Sequence, residues 1–402
     1  MRILYFHQHF SNTKGSGGTR SYEFAKYAIE AGHDVTIVCG SNKSSDTGLR
    51  NNFSFGKREG HINGIKIVEY DLSYSNNDGF IKRSIVFLLF SLRGIKIALF
   101  DEYDVIFATS TPLTVCIPGI FARWIRNKKF IFEVRDLWPE LPKQMGIITN
   151  PIILKALSIL EWLAYKSAKK IIGLSPGIID GIISRGIQRE KTLMIPNGCD
   201  NELFETDELI KLPNEISEGD FIAVYCGTHG IANGLEILIE SAEILLQQKT
   251  NNIKILLVGS GMKKANLMIE KNKRRLSNII FLDPIEKDEI PKLLNSCDLG
   301  LQILANIPGF YYGTSPNKFF DYLAAGIPVL VNYPGWMKDL IQKNNCGYFV
   351  EPDSPKNFAE ILKKASNERT KKDLFKRNSK SLAKRKFDRK KLASYWLNFI
   401  ES

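Results

Sequence analysis

In the stretch SPNKFFDYLAAGIPVL, Ser315 to Leu330, a lysine and an aspartate stand three residues apart, Lys318 and Asp321. Phe319, Phe320, Leu323 and Ala324 follow helical spacing, which predicts a short helix after Pro316 that stops at Gly326-Ile327-Pro328. Residues three apart share one helix face. A cation and a carboxylate placed there can form a surface ion pair, which is worth little. They can also divide one ligand between them, phosphate to the lysine and hydroxyl groups to the aspartate.

Other chemically capable residues sit where apolar runs end. After RILYF come Gly15, Gly17 and Gly18, then an amphipathic run closed by Gly32 and His33. Glycines before a helix let backbone N–H groups approach an anion, although a flexible turn without ligand has the same composition. The pattern is neither G-x-G-x-x-G nor a P-loop, so a dinucleotide or ATP site is not indicated. Arg135 and Asp136 follow the run KKFIFEV. Here Asp136 could orient or deprotonate a hydroxyl and Arg135 could pair with phosphate; alternatively Asp136 caps a helix and Trp138 packs beside it. In MIPNGCD, Asn197-Gly198 predicts a tight turn. In the second half, Gly227, Thr228, His229 and Gly230 follow FIAVYC, and Gly259 and Gly261 follow IKILLV. Both are further strand–glycine–helix candidates for anion binding.

These residues need strands to hold them. RILYF, DVTIVC, IKIVEY, DVIFAT, KKFIFEV, KKIIGLS and TLMIP alternate with helical stretches, as parallel strands with crossover helices do. A polar stretch, 197–220, interrupts the rhythm, which restarts with FIAVYC, IKILLVG, NIIFL, LGLQIL, IPVLV and GYFV. The expected organisation is therefore a first α/β domain over 1–196, a linker over 197–220 and a second α/β domain over 221–380. Residues 381–402 form a last helix, with Leu392, Tyr395, Trp396 and Phe399 at helical spacing. Ligands of open parallel sheets sit beyond the carboxyl ends of the strands, so two facing domains would place the site in the cleft between them.

Composition narrows the partners. The chain has 402 residues, enough for two cores, and a formal charge of +12, which fits an anionic partner. Its six cysteines are scattered without C-x-x-C, and its five histidines lack metal-ligand spacing. Buried free thiols in a reducing cytoplasm are the expectation. MRILYFHQHF reads as a first strand rather than a signal peptide.

The ordered set GSGGTR, VRDLWPE, IPNGCD, YCGTHG, VGSGMKK, SPNKFFDYLAAGIPVLV and CGYFVEP resembles the family-4 retaining glycosyltransferases over almost the whole chain. FEVRDLWPE and PNKFFDYLAAG look most like the O-antigen and capsule branch, including L-fucosamine transferases. The resemblance implies the GT-B architecture, two facing Rossmann-like domains with the active site in the cleft between them. The first domain is expected to bind acceptor, the second a UDP-sugar, and the last helix to pack back on the first. Asp321 is expected on the ribose hydroxyls and Lys318 on the diphosphate, an ion pair that opens to receive ligand. Gly17, Gly18, Arg135, Asn197, Thr228, His229, Gly259, Ser315 and Asn317 complete the expected donor contacts. Asp136 and Lys318 are the expected catalytic groups. The family's E-x7-E acids would fall at 313 and 321, where this chain has Gly313 and Asp321. Its usual Arg and Lys phosphate ligands are missing near His229 and Asn233, and its frequent His-Asp pair is Arg135-Asp136 here. With no D-x-D motif, no metal or other cofactor is expected.

Ile81 to Phe100 is strongly apolar but carries Lys82, Arg83, Arg93 and Lys96. That pattern speaks against a spanning helix. It suits either a helix lying on an anionic bilayer or one packed on its own sheet. With a lipid-diphosphate-linked saccharide as acceptor, the expected location is the inner face of the plasma membrane. Two other readings are a nucleotide-sugar epimerase of the same architecture and a basic nucleic-acid-binding protein. The second needs basic and aromatic residues gathered on one face, and the charges here are scattered, so no nucleic-acid partner is expected.

Overall fold

The computed structural model describes residues 1–13, 15, 18–41, 45–74 and 78–402. They fall into two compact units: residues 1–197, 313–315 and 389–402, and residues 198–312 with 316–388. The polar stretch after Asn197 thus runs with the second unit, and the chain returns to the first at Arg389.

The strands of the first unit are β1 (Arg2–Phe6), β2 (Asp34–Gly40), β3 (Lys57–Ile62), β4 (Ile65–Tyr70), β5 (Val105–Thr109), β6 (Lys129–Val134), β7 (Lys170–Gly173) and β8 (Thr192–Met194). Those of the second are β9 (Phe221–Cys226), β10 (Ile253–Val258), β11 (Ile279–Leu282), β12 (Leu299–Gln302), β13 (Val329–Val331) and β14 (Gly347–Phe349). The first unit's helices are α1 (Arg20–Glu30), α2 (Phe80–Phe100), α3 (Ile117–Arg126), α4 (Glu140–Gln144), α5 (Pro151–Ser167) and α6 (Pro176–Ser184). In the second, α7 (Glu236–Gln247), α8 (Lys264–Lys273), α9 (Ile290–Asn295), α10 (Pro308–Tyr311) and α11 (Asn317–Ala325) come first. They are followed by α12 (Trp336–Lys343), α13 (Pro355–Asn367) and α14 (Lys372–Lys386), and the chain closes with α15 (Arg389–Glu401) in the first unit.

Apolar, β-branched runs dictate the buried strands, and their connections dictate the order. The first sheet runs β3-β4-β2-β1-β5-β6-β7-β8 and the second β11-β10-β9-β12-β13-β14. All pairings are parallel except β3 with β4. That antiparallel edge was not legible from hydrophobicity, because KREGHI alternates exposed and half-exposed residues. It follows instead from Asn63-Gly64, both at positive φ (49° and 80°), the two-residue turn that matches strand twist. The direction of winding reverses between β1 and β5, and between β9 and β12. Such switch points open a crevice at the strands' carboxyl ends, and both candidate sites lie there.

In the first unit, Leu4 and Phe6 of β1 face a core shared with α2, α3 and α5, while Ile3 and Tyr5 face the opposite core with α1 and α15. This is the two-residue period of a strand buried on both sides. Trp396 of α15 is fully buried against Tyr5, Phe24 and Phe107. The Lys170 ammonium donates to the Phe399 carbonyl (2.7 Å) and the Lys129 ammonium to that of Ile400 (2.8 Å). Cations thus satisfy the helix's last orphan carbonyls.

The apolar stretch Ile81 to Phe100 is a single helix with two apolar sides. Val86, Phe90, Gly94 and Ala98 recur every four residues and pack inward; a Cβ at Gly94 would meet Phe6 and Pro118. Ile81, Ile85, Leu88 and Leu92 lie on the other side and are exposed. Core packing and an open apolar surface therefore coexist in α2. No described helix is long and apolar enough to cross a membrane. All six cysteines are free thiols, five of them buried.

Candidate functional site

In the second unit the site is built around α11, which starts after Pro316 and ends at Gly326 in the left-handed region (φ 81°). Phe319, Phe320, Leu323 and Ala324 are buried, and no side chain caps the helix's first turn. Tyr322, also buried, locks α11 to the sheet: its hydroxyl accepts from the Cys226 amide (3.0 Å) and donates to the Val224 carbonyl (3.3 Å).

Lys318 and Asp321 do not form the expected ion pair. The Lys318 ammonium turns instead to Tyr225, donating to its hydroxyl (3.2 Å) from above the ring (4.5 Å from the centroid). The physical reason is Gly227, which follows β9: a Cβ there would lie 2.9 Å from the lysine's Cε. The missing side chain opens a berth across the ring, where the cation–π attraction holds the ammonium. Burial pulls the Lys318 ammonium down to about 8. It therefore remains mostly protonated at neutral pH, in a setting that favours arrival of negative charge.

Two glycine loops complete this surface. The Gly227 amide donates to the Val258 carbonyl (2.9 Å) and the His229 amide to that of Ser260 (2.8 Å). A Cβ at Gly259 would overlap the Gly227 carbonyl, so glycine is required where the loops touch. Thr228 is exposed and its carbonyl accepts from the Tyr225 hydroxyl (2.9 Å). His229 lies fully buried between Tyr225 and Phe281, with both ring nitrogens unpartnered among the described residues. Burial, then Lys264 and Lys318, lower it to about 4, so its imidazole is neutral. Lys264 is occupied elsewhere, bonded to the Gly259 and Leu282 carbonyls (both 2.9 Å) and to Asp283.

In the first unit, Arg135 and Asp136 follow β6 beside residues that follow β1. The Arg135 amide donates to the Ser110 hydroxyl (2.9 Å), and its guanidinium lies 3.5 Å from His7 Nε2. Burial, reinforced by Arg135, drives His7 well below its ordinary value and takes His9 to about 4. Two neutral imidazoles thus lie within electrostatic reach of the Arg135 guanidinium. Desolvation raises the Asp136 carboxyl above its ordinary value against the pull of Arg135, which suits a proton acceptor. Asp136 does not cap the next helix, since Pro139 stands at that position. His7 Nδ1 and both ends of the Gln8 amide are buried without partners among the described residues. His7, Gln8 and His9 were missed from sequence because a histidine's role depends on burial, which HQH does not encode.

Asn197 and Gly198 make no tight turn. Neither takes a positive φ, and Asn197 is instead pinned to Ser315: its amide donates to the Ser315 hydroxyl (2.9 Å) and its side chain to the Ser315 carbonyl (2.6 Å). Arg20, in the GGTR segment, is buried and reaches Glu133 (2.8 Å) and the Ile195 and Pro196 carbonyls (2.9 and 2.7 Å). Thr19 accepts from Arg389 (2.6 Å). The glycine segment's end is thus fixed by ionic and polar ties; Gly18 is described, and Gly17 lies outside the described residues. Lys318, Asp321, Thr228, His229, Gly259 and Asn317 gather in the second unit, while Arg135, Asp136, Gly18, Asn197 and Ser315 gather in the first. Among the described residues no group of acids, histidines and cysteines is arranged to hold a metal.

Comparisons with known proteins agree with this arrangement. The Glycosyltransferase Family 4 model matches residues 17–203, and the Glycosyl transferases group 1 model matches residues 207–382. A putative teichuronic acid biosynthesis glycosyltransferase of Bacillus subtilis, TuaH, is 26% identical over 58% of this chain and 57% of its own. The capsular polysaccharide biosynthesis glycosyltransferase CapM of Staphylococcus aureus is 23% identical over 74% of this chain and 76% of its own. The chain thus spans little more than half the length of the first curated relatives it matches. Among solved structures, Anabaena HepE in complex with UDP and glucose superposes with a TM-score of 0.71 at 19% identity, covering 100% of both chains. Two models, met in order along the chain, and a fold of two parallel α/β units lead to one conclusion: the chain belongs to the GT-B glycosyltransferases of the group 1 and family 4 superfamily.

Proposed function

We propose that this protein transfers a sugar, with retention of anomeric configuration, from a UDP-sugar to a lipid-diphosphate-linked saccharide in bacterial surface-polysaccharide synthesis. An N-acetylated deoxyaminosugar such as L-FucNAc is the proposed donor sugar. The observation that carries the reading is Lys318, an ammonium held over Tyr225 with no carboxylate partner among the described residues, at the start of a helix and beside the Gly227 berth. Relatives named for teichuronic acid and capsular polysaccharide synthesis, and a neighbour solved with UDP, support the substrate classes.

In this mechanism the diphosphate gains charge as the sugar–phosphate bond breaks, and Lys318 with the α11 amides stabilises it. Asp321 binds the ribose hydroxyls. Asp136, with its raised proton affinity, orients the acceptor hydroxyl. Gly313 occupies the position of the family's first acid. A same-face route follows, in which the leaving phosphate helps take the acceptor proton. The lipid-linked acceptor places the enzyme peripherally at the inner face of the plasma membrane. Catalysis is proposed to need no metal, so chelator should leave the rate unchanged. The test is a donor screen with membrane extract and a panel of UDP-sugars, followed by determination of the product's linkage. Transfer from one UDP-sugar to a lipid-linked product supports the proposal; UDP-sugar turnover without an acceptor identifies an epimerase instead.

A further inference from the structure

The outward side of the first unit's helical layer is unusual for a surface. In α2, Ile81, Ile85, Leu88 and Leu92 repeat at steps of four, three and four, the spacing of a stripe meant to be covered. In α5 the same steps recur through Ile152, Ala156, Ile159 and Leu163, with Trp162 beside them. Between these helices α3 presents Phe121, Trp124 and Ile125. In α2 and α5 each stripe lies opposite the residues its helix buries in the common core, Phe90 in α2 and Ala164 and Tyr165 in α5, and in α3 Trp124 lies opposite buried Ala122. All three therefore face away from the same sheet. Exposure is high at their outermost points, 74% at Ile81, 69% at Trp124 and 78% at Ile152. The Trp124 indole also donates to Ser167 at the end of α5 (2.8 Å), tying α3 to α5.

The charge on this layer has one sign. Glu161 is the sole acid in the three helical segments, and it is buried, bonded to Arg185 (2.6 Å) and Tyr165 (2.9 Å). Lys96, Arg123, Lys155 and Lys166 are exposed among the apolar residues. Basic residues set among a broad apolar surface that carries two exposed tryptophans match an anionic bilayer interface: rings and aliphatic chains enter the headgroup region and ammonium groups meet lipid phosphates.

We infer that α2, α3 and α5 together form one membrane-docking face, with α5 contributing as much as α2 and with Trp124 and Trp162 as its interfacial anchors. The inference deepens the peripheral placement proposed above, and its test is independent of the transfer reaction.

The full-length protein is mixed with phosphatidylcholine vesicles, with and without phosphatidylglycerol, and bound protein is measured by flotation. Binding is expected only with the anionic lipid, weakening as salt rises. Ile85→Ser/Leu88→Ser/Leu92→Ser in α2 and Ile152→Ser/Ile159→Ser/Leu163→Ser in α5 should each lower bound protein by about tenfold or more, because each removes several inserted side chains. Tryptophan emission should shift to the blue on binding, and Trp124→Phe/Trp162→Phe should abolish that shift, because Trp138, Trp336 and Trp396 lie outside the three helices. Thermal melts and UDP titrations of the variants should match the parent, so failure of docking is distinguishable from failure of the transferase reading. Normal vesicle binding by the α5 variant reduces the face to α2 alone and overturns the proposal. So does a dimer in light scattering that these substitutions split, with no vesicle binding by the parent.

Discussion

The two units end their switch-point strands in opposite electrostatic designs. In the second, one ammonium lies across an aromatic ring with a glycine clearing its path, and the adjacent histidine is neutral. In the first, an arginine sits beside one neutral histidine and within electrostatic reach of a second, next to an aspartate whose proton affinity is raised. Lysine is a point charge that burial can tune, while arginine stays charged whatever surrounds it. The second unit is thus arranged to receive concentrated negative charge, and the first to handle a hydroxyl and its proton. One architecture is specialised by the residues at its strand ends.

The largest expected effect lies beneath the first site. Arg20→Ala leaves Glu133 buried with its charge uncompensated, and breaking such a pair costs about 3–5 kcal/mol. A thermal or denaturant melt should show it. An unchanged melt would mean that Thr109, which donates to the same carboxylate (2.7 Å), suffices.

Next comes the lysine of the second site. Lys318→Ala should reduce kcat more than it raises the donor KM, since its charge matters most as the bond breaks. A loss of roughly 2–4 kcal/mol in transition-state stabilisation is the scale for one such group. Lys318→Arg should recover only part, because a planar fork fits the Tyr225 berth poorly. Near-normal kcat in the alanine variant would assign the charge to another residue.

Asp321→Ala should weaken UDP by about 1.5–3 kcal/mol in calorimetry, the range for losing a charge-assisted hydrogen bond. Unchanged affinity would remove Asp321 from the ribose.

Two glycine substitutions give the smallest contrast. Both positions have positive φ, 147° at Gly227 and 142° at Gly259, so each alanine carries backbone strain. Gly227→Ala additionally meets the movable end of Lys318, whereas Gly259→Ala meets backbone. Gly227→Ala should weaken UDP binding more than it lowers Tm, and Gly259→Ala the reverse. Equal effects on Tm would show that the berth has no special relation to the lysine.

Much of this was legible in the chain. Apolar β-branched runs marked the parallel strands, and Phe319, Phe320 and Leu323 with Gly326 marked α11. What escaped depends on contacts between distant segments. Lys318 and Asp321 suggested a pair because spacing within one helix is visible, whereas the competing berth comes from Gly227, remote in sequence. Asn197-Gly198 has turn composition, yet Asn197 is tied to Ser315, also remote in sequence. α2 offered two readings because its Phe90 and Leu88 sides are equally apolar, and only packing distinguishes them.

The central claim is that a half-buried, tunable ammonium at Lys318 receives the donor diphosphate. Calorimetric titration of UDP across about two pH units on either side of 8 tests it directly, because the free lysine loses its proton near about 8. The protonated form binds, and UDP keeps full charge above its own phosphate pKa of about 6. Affinity should therefore stay roughly level between about 7, where UDP is nearly fully charged, and about 8, and fall above it, approaching tenfold per pH unit, while Lys318→Arg shows no such break. A wild-type affinity that does not change with pH above that point, or the same break in the arginine variant, would contradict the account.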